Sequence, residues 1–130
     1  MSFLIASSVD STVPRGSYKN LGVEVFSEGE LYTLDNHTVT LYLSKSWTYG
    51  DVLLEKEGTQ VGSPELGRVL FRFEPEDTKD LMCRSYDMTI FVRDNDTEEE
   101  WPILFGKFGK SPVGKLAITP TVQKEEEENG

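Results

Sequence analysis

The densest run of side chains that could do chemistry lies at residues 94–100, where five of seven residues are Asp or Glu. Carboxylates coordinate calcium, which takes about six to eight oxygen ligands. The run does not match an EF-hand calcium loop, because Glu99 stands at the sixth position, where that loop needs glycine. We therefore interpret residues 94–100 as a solvated hairpin loop between two strands.

The only histidine and the only cysteine lack partners of a recognised kind. His37 has no second histidine and no cysteine cluster with which to bind zinc, and no signature pairs it with a nucleophile. We interpret it as a turn or strand-start residue. Cys83 can form no intrachain disulfide, which favours a reducing compartment, and we expect it to be a buried, small apolar residue. The sequence therefore predicts a non-enzymatic protein with neither a metal ion nor a cofactor.

Aromatic and apolar side chains in two segments are the best candidates for contacting a partner. Trp47 and Tyr49 lie in a loop, and aromatic residues are common at binding hot spots. The alternative is that Trp47 folds back over the open end of the domain. Phe3, Leu4 and Ile5 are the apolar cluster of a Ser/Thr-rich arm. That arm is either poorly ordered or adds a strand to a neighbouring subunit.

Charge and hydropathy exclude two classes of partner. The chain has 130 residues and a net charge of −10, whereas nucleic acid requires a basic surface. The apolar run at residues 3–5 is too short for a signal peptide or a membrane span, so no membrane partner is expected. Four consecutive glutamates near the C-terminus predict a solvated acidic tail at residues 121–130.

The elements that must position these residues show the alternation typical of strands. A proline followed by acidic residues at 75–81 predicts one helical turn between two such strands. Residues 113–119 are expected to form a last strand at a sheet edge. About seven strands without a helical period predict an all-β antiparallel sandwich at residues 21–120, after an arm at 1–20. The expected inward positions are Val39, Leu41, Leu43, Val69, Phe71, Phe73, Tyr86, Met88, Ile90 and Val92.

Four segments, at residues 38–43, 67–73, 76–78 and 85–90, together resemble the immunoglobulin-like domain found at the N-terminus of phage baseplate upper proteins and in other virion proteins. Residues 106–108, Gly-Lys-Phe, resemble the closing strand of that family. The similarity covers about residues 36–110, with Arg84 and Ser85 replacing a usual glycine. We do not expect the receptor-directed domain that follows in baseplate proteins of that family. The resemblance implies an immunoglobulin-like fold and a virion structural module that attaches through its surface, with no catalytic residues.

The resemblance implies a structural protein of a tailed phage, made in the host cytoplasm and located in the virion. Its expected partners are other virion proteins, either capsid or tail subunits, and association of copies within the assembly stays open. An accessory capsid protein, which decorates or cements the lattice, is the first expectation. A tail, baseplate or head–tail connector component is the alternative. A carbohydrate-binding or adhesin-like module that uses Trp47, Tyr49 and Trp101 is a further alternative.

Overall fold

The alternating segments fold as strands in the computed structural model, which describes residues 4–6, 12–27, 30–45, 52–63, 65, 67–104 and 114–120. Within these ranges there are eleven strands, more than the seven expected, because short strands also form in the N-terminal arm and in the connections. The elements are β1 (Leu4–Ala6), β2 (Thr12–Pro14), β3 (Lys19–Ser27), β4 (Glu30–Leu31), β5 (His37–Ser44), β6 (Val52–Glu57), β7 (Thr59–Gln60), β8 (Arg68–Phe73), α1 (Pro75–Thr78), β9 (Ser85–Asp94), β10 (Glu100–Leu104) and β11 (Gly114–Thr119).

The strands form two layers, which we call the front and back layers. In the front layer, β5 lies between β6 and β9, and β9 pairs with both β10 and β11. In the back layer, β3 pairs with β8 and β4, and β8 pairs with β7. Strand β1 joins the layers by pairing antiparallel with β3 and parallel with β10. This arrangement of paired strands is that of an immunoglobulin-like β-sandwich.

The last strand does not lie at an edge, which corrects the expectation for residues 113–119. Strand β11 pairs antiparallel with β9 on one side and parallel with β2 on the other. The prolines that bracket β11 in sequence are compatible with an edge, but they do not reveal that a distant three-residue strand pairs there. Residues of the predicted arm thus take part in the sheets of their own chain.

The core occupies the space between the layers and contains every inward position that the alternation predicts. Phe71 and Phe73 of β8 are fully buried, as are Leu41, Leu43 and Ile90 of the front layer. Burying a large apolar side chain contributes about 1.5–3 kcal/mol, so these residues supply much of the driving force for the sandwich. Further buried residues from β2, β3, β10, β11 and the segment between β4 and β5 complete the core: Val13, Leu21, Val23, Val25, Leu34, Ile103, Leu116 and Ile118.

The helical turn and the corner that follows it fix the start of β9. Helix α1 forms at the predicted place, and the Glu74 N–H donates to the Asp77 carboxylate at 2.7 Å. Beyond the helix, the Tyr86 O–H donates to the Met82 carbonyl at 2.8 Å. This bond is the tyrosine corner of immunoglobulin-like domains. Cys83 lies in the same bend and is exposed, so the expectation that it is buried was wrong.

Strand β6 leads directly across to the back layer at Gly58. A Cβ atom added to Gly58 would lie 2.9 Å from Cε1 of Phe71, closer than non-bonded carbon atoms approach. Glycine therefore allows the chain to cross against the core between β6 and β7.

Candidate binding surface

The five residues proposed for partner binding are described only in part. Trp47, Tyr49 and Phe3 lie outside the described residues. Leu4 and Ile5 lie in β1, where Ile5 is opposite both Phe26 and Leu104. The backbone of this segment therefore pairs between β3 and β10 of the same chain, rather than extending away from the sandwich.

The acidic hairpin loop uses its first carboxylate to hold the turn. Asp94 Oδ1 accepts hydrogen bonds from the backbone N–H groups of Asp96 and Thr97, at 2.9 and 3.4 Å. The Asn36 side chain donates to Asp96 Oδ1 at 2.7 Å, which ties this loop to the start of β5. Among the residues that the structure describes, no three His, Cys, Asp or Glu side chains form a group suited to a metal ion. The loop is a hairpin connection, as predicted.

His37 uses both ring nitrogens at the start of β5. Its Nδ1–H donates to the Asp35 carbonyl oxygen at 2.6 Å, because that oxygen can only accept, and its Nε2 lies 3.3 Å from the Tyr32 hydroxyl oxygen. Burial, and secondarily the Asp94 charge, raise the pKa of Tyr32. These contacts match the interpretation of His37 as a strand-start residue.

The outer surface of the front layer carries an aromatic pair, and we call this surface the front face. Tyr42 of β5 and Phe91 of β9 meet edge to face, with ring centroids 6.0 Å apart at an interplanar angle of 72°. Both side chains point away from the core and are half-buried. Other outward positions on this face are polar, acidic, basic and apolar: Thr38, Thr40, Glu55, Glu57, Asp87, Thr89, Arg93, Glu100, Pro102, Leu104 and Lys115. Two of its basic residues are paired, since Lys115 binds Asp87 and Arg93 lies 3.9 Å from Glu98.

Carboxylates stand on two sides of this aromatic pair. The pKa of Tyr42 is raised first by burial and then by the charges of Glu55 and Glu100, while a hydrogen bond from Thr40 acts in the opposite direction. Glu55 belongs to β6 and Glu100 to β10, so the phenol lies between acidic groups of two different strands. The front face can therefore stack, donate hydrogen bonds through its threonines and attract positive charge.

On the outer surface of the back layer, which we call the back face, arginine side chains contact a carboxylate and an aromatic ring of the same surface. Arg68 Nε lies 2.9 Å from Glu24 Oε2, and the Arg72 guanidinium lies 4.9 Å from the centre of the Tyr18 ring. A shallow depression of about 240 Å³ lies beside this ion pair, over Gly22 and Leu70. Gly22 leaves this space open, since an added Cβ would meet no atom within 4 Å.

The apolar part of the front face, which includes Phe91 and Pro102, was not among the binding residues predicted from the sequence. They lie directly opposite each other in the β9–β10 pair. Alternation along β9 predicts that Phe91 faces outward, because Ile90 and Val92 on either side of it face the core. Trp101 lies opposite Val92 and packs against the core, which leaves it only partly exposed.

Comparison with known proteins adds no further identification. No protein-family model matches this sequence, and no curated protein is significantly similar to it. Within the described part of the chain, no helix is both long and apolar enough to span a membrane. Inferences about function therefore rest on the fold and on the chemistry of its two faces.

Proposed function

We propose that this protein is a non-enzymatic structural component of a tailed-phage virion, which binds a larger lattice of virion proteins through its front face. Within the virion we place it on the capsid as an accessory decoration or cement protein. A position in the tail, baseplate or head–tail connector is the alternative. Repetition of one modest contact over a symmetric lattice would give stable attachment through avidity.

The fold supports this proposal because the segments that resemble virion immunoglobulin-like domains correspond to its central elements. Residues 38–43 lie in β5, residues 67–73 contain β8, residues 76–78 lie in α1, and residues 85–90 lie in β9. Strand β5 pairs with β9, and the tyrosine corner connects α1 to β9. The four segments therefore coincide with strands and the helix that form the centre of the sandwich. Residues 106–108, which also resemble the family, lie outside the described ranges.

The observation that carries the proposal is the half-buried Tyr42–Phe91 pair on the outside of the sandwich. A soluble antiparallel sheet commonly places polar residues on its solvated face. Here the pair lies beside Pro102 and Leu104, which are also outward and partly exposed. Aromatic residues are enriched where proteins bind one another, so this face fits attachment to a protein partner.

Immunogold electron microscopy tests the location of the protein. Virions would be purified from the culture that produces the chain and labelled with antibody raised against it. We expect label over the heads. Label confined to tails would replace the capsid assignment with the tail or baseplate one. Absence of label from intact and gently disrupted particles would refute the virion role, and glycan binding would then be tested on arrays.

A matched pair of variants tests the front face. Phe91→Thr removes a ring from the front face, and Leu70→Thr makes a comparable change at a half-buried position of the back face. Each variant would compete with wild type for incorporation into particles. We expect Phe91→Thr to be depleted about tenfold or more and Leu70→Thr to incorporate normally. Equal incorporation of both variants would refute binding through the front face.

A further inference from the structure

Strand β6 forms one edge of the front layer. It pairs with β5, and no other described strand pairs with it. With six residues it is much longer than β7, the two-residue strand that ends the back layer. An unpaired edge of this length presents a row of backbone donors and acceptors that another strand can use.

We infer that this edge accepts a basic, extended segment of a partner protein as an added antiparallel strand. The inference rests on the proposed function, since it names the chemistry of the partner that the front face would contact. Strand addition draws affinity from backbone hydrogen bonds, and the side chains that alternate along the added strand provide the specificity.

The hydrogen-bond pattern shows which residues face the free edge. The Gly58 N–H donates to the Val39 carbonyl at 2.8 Å, in the same register that places Lys56 opposite Leu41. Backbone groups of an antiparallel strand alternate between its two sides. Gly58 and Lys56 therefore direct their groups towards β5, and Glu55 and Glu57 direct theirs towards the free edge.

The side chains of the same two glutamates determine the charge of the segment that fits. Glu55 and Glu57 are exposed on the front face and form no ion pair with a described residue. Lys56 between them points to the other side, where its Nζ lies 2.9 Å from Asp77 Oδ2. An antiparallel strand would place two of its residues directly opposite Glu55 and Glu57. A segment with Lys or Arg at those two positions, separated by one residue, complements this edge.

A second copy of the chain fits this edge less well. Self-pairing of β6 centred on Glu55 or on Lys56 sets glutamate opposite glutamate, and like charges directly opposite destabilise a strand pair. The net charge of −10 also opposes association of two copies. Complementary charge therefore favours a basic partner over a homodimer.

Peptide binding to the full chain tests the edge itself. The probe is a fluorescent, end-capped peptide of four Lys-Val repeats, and the controls are a Glu-Val peptide and a Lys-Val peptide methylated on alternate backbone nitrogens. We expect the Lys-Val peptide to bind, N-methylation to weaken binding, and the peptide to slow hydrogen exchange at the amides of Glu55 and Glu57. No binding at millimolar peptide, or equal binding after N-methylation, would overturn the inference.

Charge-reversal variants separate the edge from the general acidity of the protein. Glu55→Lys/Glu57→Lys reverses the edge, and Glu76→Lys/Asp80→Lys makes the same charge change at exposed positions of α1 and the following turn. We expect the first variant to weaken binding about tenfold or more and the second to leave it within about twofold. An equal loss in both variants, or a wild-type dimer that the first variant abolishes, would overturn the inference.

Incorporation into particles distinguishes failure of the inference from failure of the proposed function. If Glu55→Lys/Glu57→Lys incorporates normally while Phe91→Thr does not, the front face binds the lattice without strand addition, and only the inference fails. If immunogold label is absent from particles, the proposed function fails as well. Depletion of both variants supports both statements.

Discussion

The two faces of this sandwich share one core but differ in whether their charged side chains have partners on the same face. On the back face, Arg68 pairs with Glu24, and Arg72 lies over the Tyr18 ring and 3.9 Å from Glu74. On the front face, Glu55 and Glu57 have no described basic partner and lie near a half-buried aromatic pair. Away from β6 the front face also pairs its charges, since Lys115 binds Asp87 and Arg93 lies 3.9 Å from Glu98. The difference between the faces is therefore concentrated at Glu55, Glu57 and the aromatic pair, which are available to a partner.

The contrast extends to the edges of the two layers. The back layer ends in β7, a two-residue strand, and a short edge offers few groups for another chain. The front layer ends in β6, with six residues and two outward glutamates. Charge on an edge strand discourages pairing with a like-charged copy while favouring an oppositely charged segment. Under the proposed strand addition, the same residues would limit self-association and select the partner.

The largest effect is expected from removing the core residue on which both faces depend. Phe71→Ala should lower the free energy of unfolding by about 3–5 kcal/mol, because Phe71 is fully buried and its loss leaves a cavity. Urea denaturation followed by circular dichroism and tryptophan fluorescence measures this change. Leu70→Ala in the same strand is the control and should cost much less. Separate transitions for the two probes would show that the layers unfold independently.

A smaller loss of stability is expected at the corner that leads into the front layer. Tyr86→Phe should cost about 1 kcal/mol, since the Tyr86 side chain is buried and its hydroxyl bonds the Met82 carbonyl. Tyr18→Phe is the matched control, because Tyr18 is 63% exposed on the back face. Chemical denaturation compares the two variants. Equal effects would contradict a special role for the corner.

The back-face ion pair should contribute less than the corner. A double-mutant cycle of Glu24→Gln and Arg68→Gln should give a coupling of about 0.2–1 kcal/mol, near the low end, because both side chains are more than a third exposed and solvent screens them. The coupling should shrink as salt is added. A coupling that exceeds the loss in Tyr86→Phe would contradict the view of the back face as a solvated surface.

The smallest effect is confined to alkaline pH and tests the electrostatics of the front face. The folded pKa of Tyr42 is raised above its usual value near 10, so the corresponding stability is fully present below pH 10 and lost as pH rises through the folded pKa. Absorbance at 295 nm, compared with Tyr42→Phe, identifies its ionisation. Glu55→Gln should shift this ionisation to lower pH. An unchanged or higher midpoint would remove Glu55 from the surroundings of the phenol.

Much of the frame could be predicted from the sequence, because inward positions repeat every two residues along a strand. The alternation identified the core positions of β5, β8 and β9, and the proline and acidic residues identified α1. The exposure of Cys83 could not be found in this way, because it lies in a bend that has no repeating pattern. The same limit applies to the strands of the arm, which are too short to show alternation.

By itself, the sequence determined that this is an all-β chain with a net negative charge. It also determined where the main strands lie and which of their side chains face the core. These properties depend on neighbouring residues or on composition. Only the tertiary structure decided that β2 pairs with β11, that Tyr86 reaches Met82, and that β6 lies at an edge beside Tyr42 and Phe91. The reason is physical: a strand's own residues determine its two faces, whereas its neighbours depend on how distant segments pair.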